Sequence, residues 1–404
     1  MERKITKLGN NIEVIYKQNP NTPRAALSFN YSLNVPESTA GLYLIMARLF
    51  TQGTKTRSAA QIAQELDRYA IEFTSELKQD FLRFKFVCLN EDFPKAVEIT
   101  EDIIKNTTFE DFEREAAKTE GEIIAELDAP RMKALDNYFK NIFEGHHYGN
   151  THTKILENIK KLKREDVINA YKTFTQNSRK VIVFAGGLPY DDVYGKLNAA
   201  FGNIHDSNEE KFHLEVPALA RKKECEIIKS GLNQAHIIQG WLVPTFEHED
   251  SPALLLLNII LGASGLSSRL FLELRDKKGL AYVVRSSYET SAMGANFSIY
   301  IATEPKNIQV SLDGFKDEIQ KLKDIPVSEK ELNDAKNNLI GKWAFSRETN
   351  LQQAALTARN AVIGIGADYH DKLEEKIKLV TPDDILRCAN KYFNNEYVLS
   401  IVKP

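Results

Sequence analysis

The 404-residue sequence is poor in several features that mark common functional classes. Its three cysteines, Cys88, Cys225 and Cys388, are far apart and form no CxxC pair, so neither a zinc knuckle nor a disulfide framework is indicated. The longest apolar run, Ala253–Leu261, is interrupted by Asn258 and is far shorter than the roughly 20 residues that span a bilayer. The formal net charge is −3 with both signs interspersed, which argues against a nucleic-acid-binding protein.

The first residues do not resemble a targeting signal. Met1–Ile5 is charged and continues directly into a strand-like stretch, without an apolar core or a small-residue cleavage site. Together with the sparse cysteines, this favours a cytoplasmic protein. A periplasmic location stays open if a signal peptide has been removed.

The length predicts two domains of roughly 200 residues each. Strand-like alternation and amphipathic helices occur in both halves of the chain, and a polar stretch separates them. We therefore predict an N-terminal domain at 1–202, a linker at 203–222 and a C-terminal domain at 223–404.

Two pairs of stretches indicate that the halves are related. Phe84–Cys88 is similar to Phe297–Ile301, and each is succeeded by a short turn and a helix. Lys180–Val183 and Tyr397–Val402 also match, since each is an apolar strand after a helix. The sequence predicts an α+β fold of two tandem homologous domains, each an antiparallel sheet packed with helices. A chance match between generic strand–turn–helix units is the alternative.

The first long helix, predicted over Thr39–Phe50, contains no side chain that binds a metal. Leu44 and Arg48 lie one turn apart with Ala47 beside them, whereas zinc requires nitrogen, thiolate or carboxylate ligands. No histidine occurs before His146. Taken alone, this is an amphipathic core helix.

The spacing around this helix nevertheless resembles the zinc helix of the pitrilysin/insulinase family of peptidases, G-x-x-H-F-L-E-H-M-x-F-x-G-T. Four positions are in step with that motif: Gly41, Leu49, Gly53 and Thr54. An HxxEH helix works because two imidazoles one turn apart bind zinc while the glutamate activates its water. The resemblance puts Leu44 and Arg48 at the two histidines and Ala47 at the glutamate, so it implies a lost zinc site.

A second stretch resembles the part of the family that supplies the third zinc ligand. The run E-I-I-A-E-L at 122–127 is similar to the family's E-x-x-A-E-L and puts Glu126 in the ligand position. One carboxylate cannot hold zinc alone, so Glu126 is expected to be a remnant. Without the resemblance it is a solvated or ion-paired helix residue.

A histidine cluster comes next, in a predicted loop. The run F-E-G-H-H-Y-G at 143–149 resembles the family's F-x-x-H-P-Y-G, and His146, His147 and His152 are close together in sequence. Their spacing suits a loop, and no ordered carboxylate partner is evident. We predict polar rings in a structural loop and keep a metal site as the alternative.

The longest motif lies in the second half. Residues 261–282 read L-G-A-S-G-L-S-S-R-L-F-L-E-L-R-D-K-K-G-L-A-Y, which resembles the family's G-x-G-x-S-S-R-L-F-x-x-[IL]-R-E-x-x-G-L-A-Y. A phosphate-binding loop at 262–265 is the alternative, but GK[ST] is absent and no βαβ strand precedes it. On the residues alone, Arg275 is a cation near a helix C-terminus and Tyr282 a strand aromatic.

The resemblance implies a binding role for this region. In the family, an arginine and a tyrosine seven residues apart contact a substrate carbonyl oxygen and help stabilise the oxyanion. Arg275 and Tyr282 stand at those positions, and Gly262, Gly265 and Ser267 belong to the loop expected at the same cleft. Both side chains are hydrogen-bond donors, as that role requires.

The combined pattern implies a non-catalytic subunit of a heterodimeric zinc metallopeptidase. We expect no cofactor in this chain, no peptidase activity alone, zinc in a homologous HxxEH-bearing partner, and an unfolded or extended peptide as substrate. Its two domains are expected to face each other across a chamber. Two alternatives remain: a structural scaffold subunit, and a peptide-binding module that needs no partner.

Overall fold

A computed structural model describes residues 3–207 and 222–404 in two compact units. The predicted linker at 203–222 lies largely outside these residues, since 208–221 are not described. The first unit contains 3–121, 155–207 and 344–369, and the second contains 122–154, 222–343 and 370–404. Each unit therefore includes a segment from the other half of the chain, an exchange that the sequence did not predict.

The first unit is built on a six-stranded sheet with the order β1-β2-β6-β3-β5-β4. Its strands are β1 (Arg3–Lys7), β2 (Glu13–Gln18), β3 (Arg24–Ser32), β4 (Glu72–Leu77), β5 (Phe81–Leu89) and β6 (Lys180–Gly186). The helices are α1 (Leu42–Leu49), α2 (Ala59–Arg68), α3 (Phe93–Asn106), the start of α4 (Phe112–Asp128), α6 (His152–Ile159), α7 (Arg164–Asn177), α8 (Tyr190–Phe201) and α12 (Asn350–Val362).

The second unit is built on a five-stranded sheet with the order β7-β11-β8-β10-β9. Its strands are β7 (Lys223–Ile228), β8 (Ala235–Val243), β9 (Ala281–Thr290), β10 (Ala295–Thr303) and β11 (Val398–Lys403). The helices are α5 (Pro130–Ile142), α9 (Ser251–Asn258), α10 (Ile308–Asp324), α11 (Glu329–Phe345), α13 (Tyr369–Leu379) and α14 (Pro382–Tyr392), with π-helical segments at Ile259–Ala263 and Phe271–Lys277.

The two sheets have the same strand order once β1 is set aside. β5 and β10 are the second strands from one edge, and β6 and β11 occupy matching positions, as the paired sequence stretches predicted. Every neighbouring pair is antiparallel except β2 with β6 and β7 with β11, which are parallel. The predicted fold of two tandem homologous α+β domains is confirmed, with one parallel strand pair in each sheet.

Each sheet has one face covered by an exchanged helix. Helix α12 packs on β3 and β6 of the first unit, where Arg83 Nη2 donates to the Ala355 carbonyl at 2.8 Å. Helix α5 packs on β8 and β11 of the second unit, where Ser400 Oγ donates to the Ala134 carbonyl at 3.0 Å. Polar contacts therefore fix both helices, because buried carbonyls and hydroxyls must be hydrogen-bonded.

The other sheet face supports the helices that carry the site positions. In the first unit, Ile45, Met46 and Leu49 of α1 join a core that includes Phe84 and Phe86 of β5. In the second, α9 and the π-helical segment after it pack on β9. Burial of apolar side chains on this face is the main term that holds these helices in place.

Candidate functional site

The sequence predicts a lost zinc site in helix α1, and the glycine that begins the motif still shapes the start of this helix. It starts after Gly41, whose φ of 95° is in the left-handed region. A Cβ on that glycine would lie 2.8 Å from Cγ2 of Ile155, so the close approach also excludes a side chain. Ala47 is buried, whereas Leu44 and Arg48 are half-buried.

The side chains of α1 do not fit a zinc ion. Arg48 Nη1 donates to Thr119 Oγ1 at 3.0 Å and lies 3.8 Å from Glu115 Oε1, and both of those residues belong to α4 and are buried. A guanidinium therefore occupies a position where zinc would need a neutral imidazole. Leu44 and Ala47 offer only hydrocarbon.

Glu126 lies further along α4 and is paired with a histidine. Its Oε2 is 3.3 Å from Nδ1 of His152, and its side chain is 54% exposed. Within 3–207 and 222–404, no group of three histidine, cysteine, aspartate or glutamate side chains is placed to hold a metal ion. Glu126 thus has the geometry of an ordinary surface ion pair.

His146 and His147 lie in the loop between α5 and α6, whereas His152 is the first residue of α6. His146 Nδ1 accepts a hydrogen bond from the Tyr148 backbone N–H at 3.1 Å, and the Met293 N–H donates to the Tyr148 hydroxyl. The rings of His146 and His147 are 4.2 Å apart. Burial, reinforced by His146, lowers the pKa of His147 from 6.5 to about 4, so this ring is neutral at pH 7.

The loop after α9 is shaped by glycines and by a wide helical turn. The chain leaves α9 through the π-helical segment Ile259–Ala263 and reverses at Gly265, whose φ is 83°. A Cβ on Gly262 would lie 2.2 Å from the Ser286 backbone nitrogen, so only glycine allows this turn to pack on β9. Ser268 Oγ donates to the Gly265 carbonyl at 2.8 Å and closes the loop.

Helix α11 holds this loop from outside. Arg269 forms a bidentate pair with Glu331, with both N···O distances at 2.8 Å, and Lys342 Nζ donates to the Ala263 carbonyl at 2.8 Å. A pocket of about 400 Å³ lies between the loop and α11, with Ser264 and Ser267 in its wall. Ser267, a predicted binding residue, therefore borders a pocket with a mixed polar and apolar lining.

Arg275 and Tyr282 are brought into contact, as their proposed shared role requires. The guanidinium carbon lies 4.8 Å from the centre of the Tyr282 ring and 4.5 Å from the centre of the Phe271 ring. The side chain of Tyr282 is 77% exposed. Among the described residues, no carboxylate is within ion-pair distance of Arg275. Two donors with free hydrogen-bonding capacity thus lie side by side at the surface of the second unit.

Two models of one protein family together match most of this chain. Residues 13–154 match the family model described as insulinase (peptidase family M16), and residues 161–339 match the one described as peptidase M16 inactive domain. The chain belongs to the M16 peptidase family.

Curated M16 relatives are similar over nearly the whole chain. The uncharacterized zinc protease YmxG of Bacillus subtilis is 25% identical over 98% of this chain and 97% of its own length. An uncharacterized zinc protease of Rickettsia felis is 25% identical over 99% of this chain and 97% of its own.

Solved structures share the fold at lower identity. A protease from Helicobacter pylori has a TM-score of 0.91 at 19% identity, covering 100% of this chain and 99% of its own. A peptidase M16 inactive domain from Pseudomonas fluorescens has a TM-score of 0.87 at 18% identity, covering 100% and 98%. A chain of complex III2 from Candida albicans has a TM-score of 0.81 at 14% identity, covering 99% and 95%.

Sequence reasoning overlooked several residues that build this candidate site. Phe271 contacts Arg275, and Ser286 Oγ donates to Asn258 Oδ1 at 2.7 Å, tying β9 to α9. Glu331 lies 62 residues after its partner Arg269, so no local pattern could link them. The four-residue spacing of Phe271 and Arg275 was the one signal available.

No helix within 3–207 or 222–404 combines the length and apolar character needed to cross a membrane.

Proposed function

We propose that this M16 chain is the non-catalytic subunit of a heterodimeric zinc metallopeptidase, in which it binds an extended peptide and supplies donors to a partner's HxxEH site. The observation that carries the proposal is the contact between Arg275 and Tyr282 at 4.8 Å, with no competing carboxylate on Arg275 among the described residues. The first unit has a guanidinium where a zinc ligand would stand.

The chemistry assigned to this chain is stabilisation of negative charge. As a scissile carbonyl becomes tetrahedral, its oxygen gains charge, and a guanidinium N–H and a phenol O–H lower the barrier when they are already aimed at it. Holding both donors before the substrate arrives avoids the cost of ordering them during the reaction. Zinc would be held by the partner subunit, and the chain described here has no role as its ligand.

An extended substrate suits the sheets of this fold. A strand at the edge of a sheet can pair with a peptide through main-chain hydrogen bonds, and β9, which begins one residue before Tyr282, is an edge strand. Addition of a peptide at such an edge brings its carbonyl groups near side chains at the strand end. We therefore assign unfolded or extended peptides as the substrate class.

The decisive experiment is reconstitution with an HxxEH-bearing homologous subunit. We expect no hydrolysis by this chain alone and activity on mixing. Arg275→Ala and Tyr282→Phe should each lower kcat about 100-fold in the mixed enzyme, the typical effect of removing an oxyanion donor. Arg114→Ala, at an exposed arginine, and Tyr194→Phe, at a half-buried tyrosine, change the same residue types in the first unit and should leave turnover unchanged.

Unchanged turnover with both site variants would rule out the role assigned to Arg275 and Tyr282. It would favour the alternative of a structural scaffold subunit. Tight binding of unstructured peptides by the isolated chain, with no gain on mixing, would instead indicate a peptide-binding module that works without a partner.

A further inference from the structure

The guanidinium of Arg275 is held between two aromatic rings, of which only one belongs to the proposed donor pair. Its central carbon is 4.5 Å from the centre of the Phe271 ring and 4.8 Å from that of Tyr282. Guanidinium groups stack by their planar faces, which leaves the N–H edge available for a ligand. Phe271 offers no hydrogen bond, so its effect on a bound peptide acts through Arg275.

The helix that carries Phe271 is fixed against rotation by its buried side. Leu270 and Leu274 are both 0% exposed. Gly314 of α10 approaches so closely that a Cβ there would lie 3.1 Å from the Leu274 side chain. Phe271 and Arg275 directly follow these two leucines and are likewise four residues apart. They therefore share one helix face, which is accessible and lies next to the buried face.

A wide turn and a left-handed glycine bring Tyr282 to the same place. Phe271–Lys277 is π-helical, and the Lys278 N–H donates to the Glu273 carbonyl at 3.2 Å. Gly279, with a φ of 62°, ends the helix, and β9 begins two residues later. Segments of π-helix are rare and are frequent at functional sites.

Two carboxylates of this region are already engaged. Glu273 pairs with Lys277, and Glu331 forms the bidentate pair with Arg269. Arg275 therefore keeps its charge for a ligand and is oriented by ring contacts alone among the described residues. An orienting contact without a carboxylate preserves the affinity of a guanidinium for an incoming oxygen.

We propose that Phe271 is a positioning residue, which holds the Arg275 guanidinium against Tyr282 so that both donors meet one peptide carbonyl oxygen. This inference rests on the proposed function. It predicts that loss of the Phe271 ring disorders Arg275 and lowers kcat more than it raises KM, because aligned donors act mainly in the transition state.

The test is a double-mutant cycle in the full-length chain mixed with its HxxEH partner. Phe271→Leu should lower kcat about fivefold to tenfold, whereas Phe271→Tyr, which keeps the ring, should restore it. In an Arg275→Ala background, Phe271→Leu should cause no further loss, since its target is gone. Phe345→Leu, at a phenylalanine that is 74% exposed, is the matched control.

A measurement on the isolated chain separates this inference from the proposed function. The Arg275 Nε–H resonance of arginine-labelled protein should be displaced by ring currents in the native chain and should move to the free-arginine position in Phe271→Leu. An identical Arg275 resonance in the two proteins, or equal losses from Phe271→Leu with and without Arg275, would overturn the inference. If Arg275→Ala leaves turnover unchanged while the resonance moves as expected, the proposed function fails and the positioning contact stands.

Discussion

Helix α1 and the segment from Phe271 to Tyr282 differ in what they have kept of the M16 motifs. In α1 the backbone features persist, with Gly41 at a φ of 95° against Ile155, but Leu44, Ala47 and Arg48 offer no zinc ligand. In the later segment, Arg275 and Tyr282 remain and are in contact. The packing of α1 therefore does not depend on zinc-binding side chains, because a helix needs only its buried face to form.

The largest change that we expect is a gain of zinc binding in α1 after two substitutions. If only side chains are missing, Leu44→His with Arg48→His places two imidazoles one turn apart and leaves the buried Glu115 within reach as a carboxylate. We expect a Kd for zinc of about 10 μM or lower, against no measurable affinity in the native chain. Equilibrium dialysis with metal analysis measures both.

Leu44→Gln with Arg48→Gln is the control for this gain, because glutamine amides are poor zinc ligands. Failure of the double-histidine variant to bind zinc would mean that the backbone as well as the side chains of α1 has departed from a zinc-binding arrangement. The contrast between the two regions would then be one of structure as well as chemistry.

The second-largest change that we expect concerns the donor region, residues 262–282, whose backbone requires glycine at position 262. Gly262→Ala would put a Cβ 2.2 Å from the Ser286 nitrogen and 2.9 Å from the Arg285 carbonyl carbon, both backbone atoms that cannot move aside cheaply. We expect the free energy of unfolding to fall by about 3 kcal/mol, at the upper end for overpacking. Urea denaturation followed by circular dichroism measures it.

Gly341→Ala is the matched change, since that glycine lies in α11 with nothing within 4 Å of the position of a Cβ. It should raise stability by up to about 1 kcal/mol, because alanine favours a helix more than glycine does. Equal effects of the two substitutions would show that the loop before Ser268 tolerates side chains, and the donor region would then be less constrained than α1.

The sequence predicted the repeated sheet but not the exchanged helices, for a physical reason. β5 and β10 show strong apolar alternation, which periodicity detects. Helix α12 has no broad apolar stripe, since it packs through small residues and hydrogen bonds such as Arg83 to the Ala355 carbonyl. Helix α5 does have one, because Ala134, Tyr138 and Ile142 join a buried cluster on the second sheet, but a local pattern does not show which sheet a helix covers. The segments β4, α6 and α13 were also not predicted.

The site was predicted only as far as motif spacing extends. The resemblance to the family motif singled out Arg275 and Tyr282, and their contact depends on the turn at Gly279. The four-residue spacing of Phe271 and Arg275 fits one helix face, but it reveals neither the π-helical turn nor the contact between the ring and the guanidinium. Glu331 and Ser286 depend on tertiary packing that brings distant segments together.

The smallest change that we expect concerns His147 in the histidine loop. It shows whether this buried ring has a structural role. Burial and His146 lower the folded-state pKa of His147 from 6.5 to about 4, so the unfolded chain takes up this proton at a higher pH than the folded chain. Stability is therefore retained at pH 7 and is lost as the pH falls from 6.5 towards 4. His147→Gln should remove about 2 kcal/mol of the loss between pH 7 and pH 5, measured by urea unfolding at both values. His205→Gln, at an exposed histidine of the first unit, is the control.

A pH dependence unchanged by His147→Gln would mean that this ring titrates normally and is accessible to ligands. The histidine loop would then again be a candidate binding site.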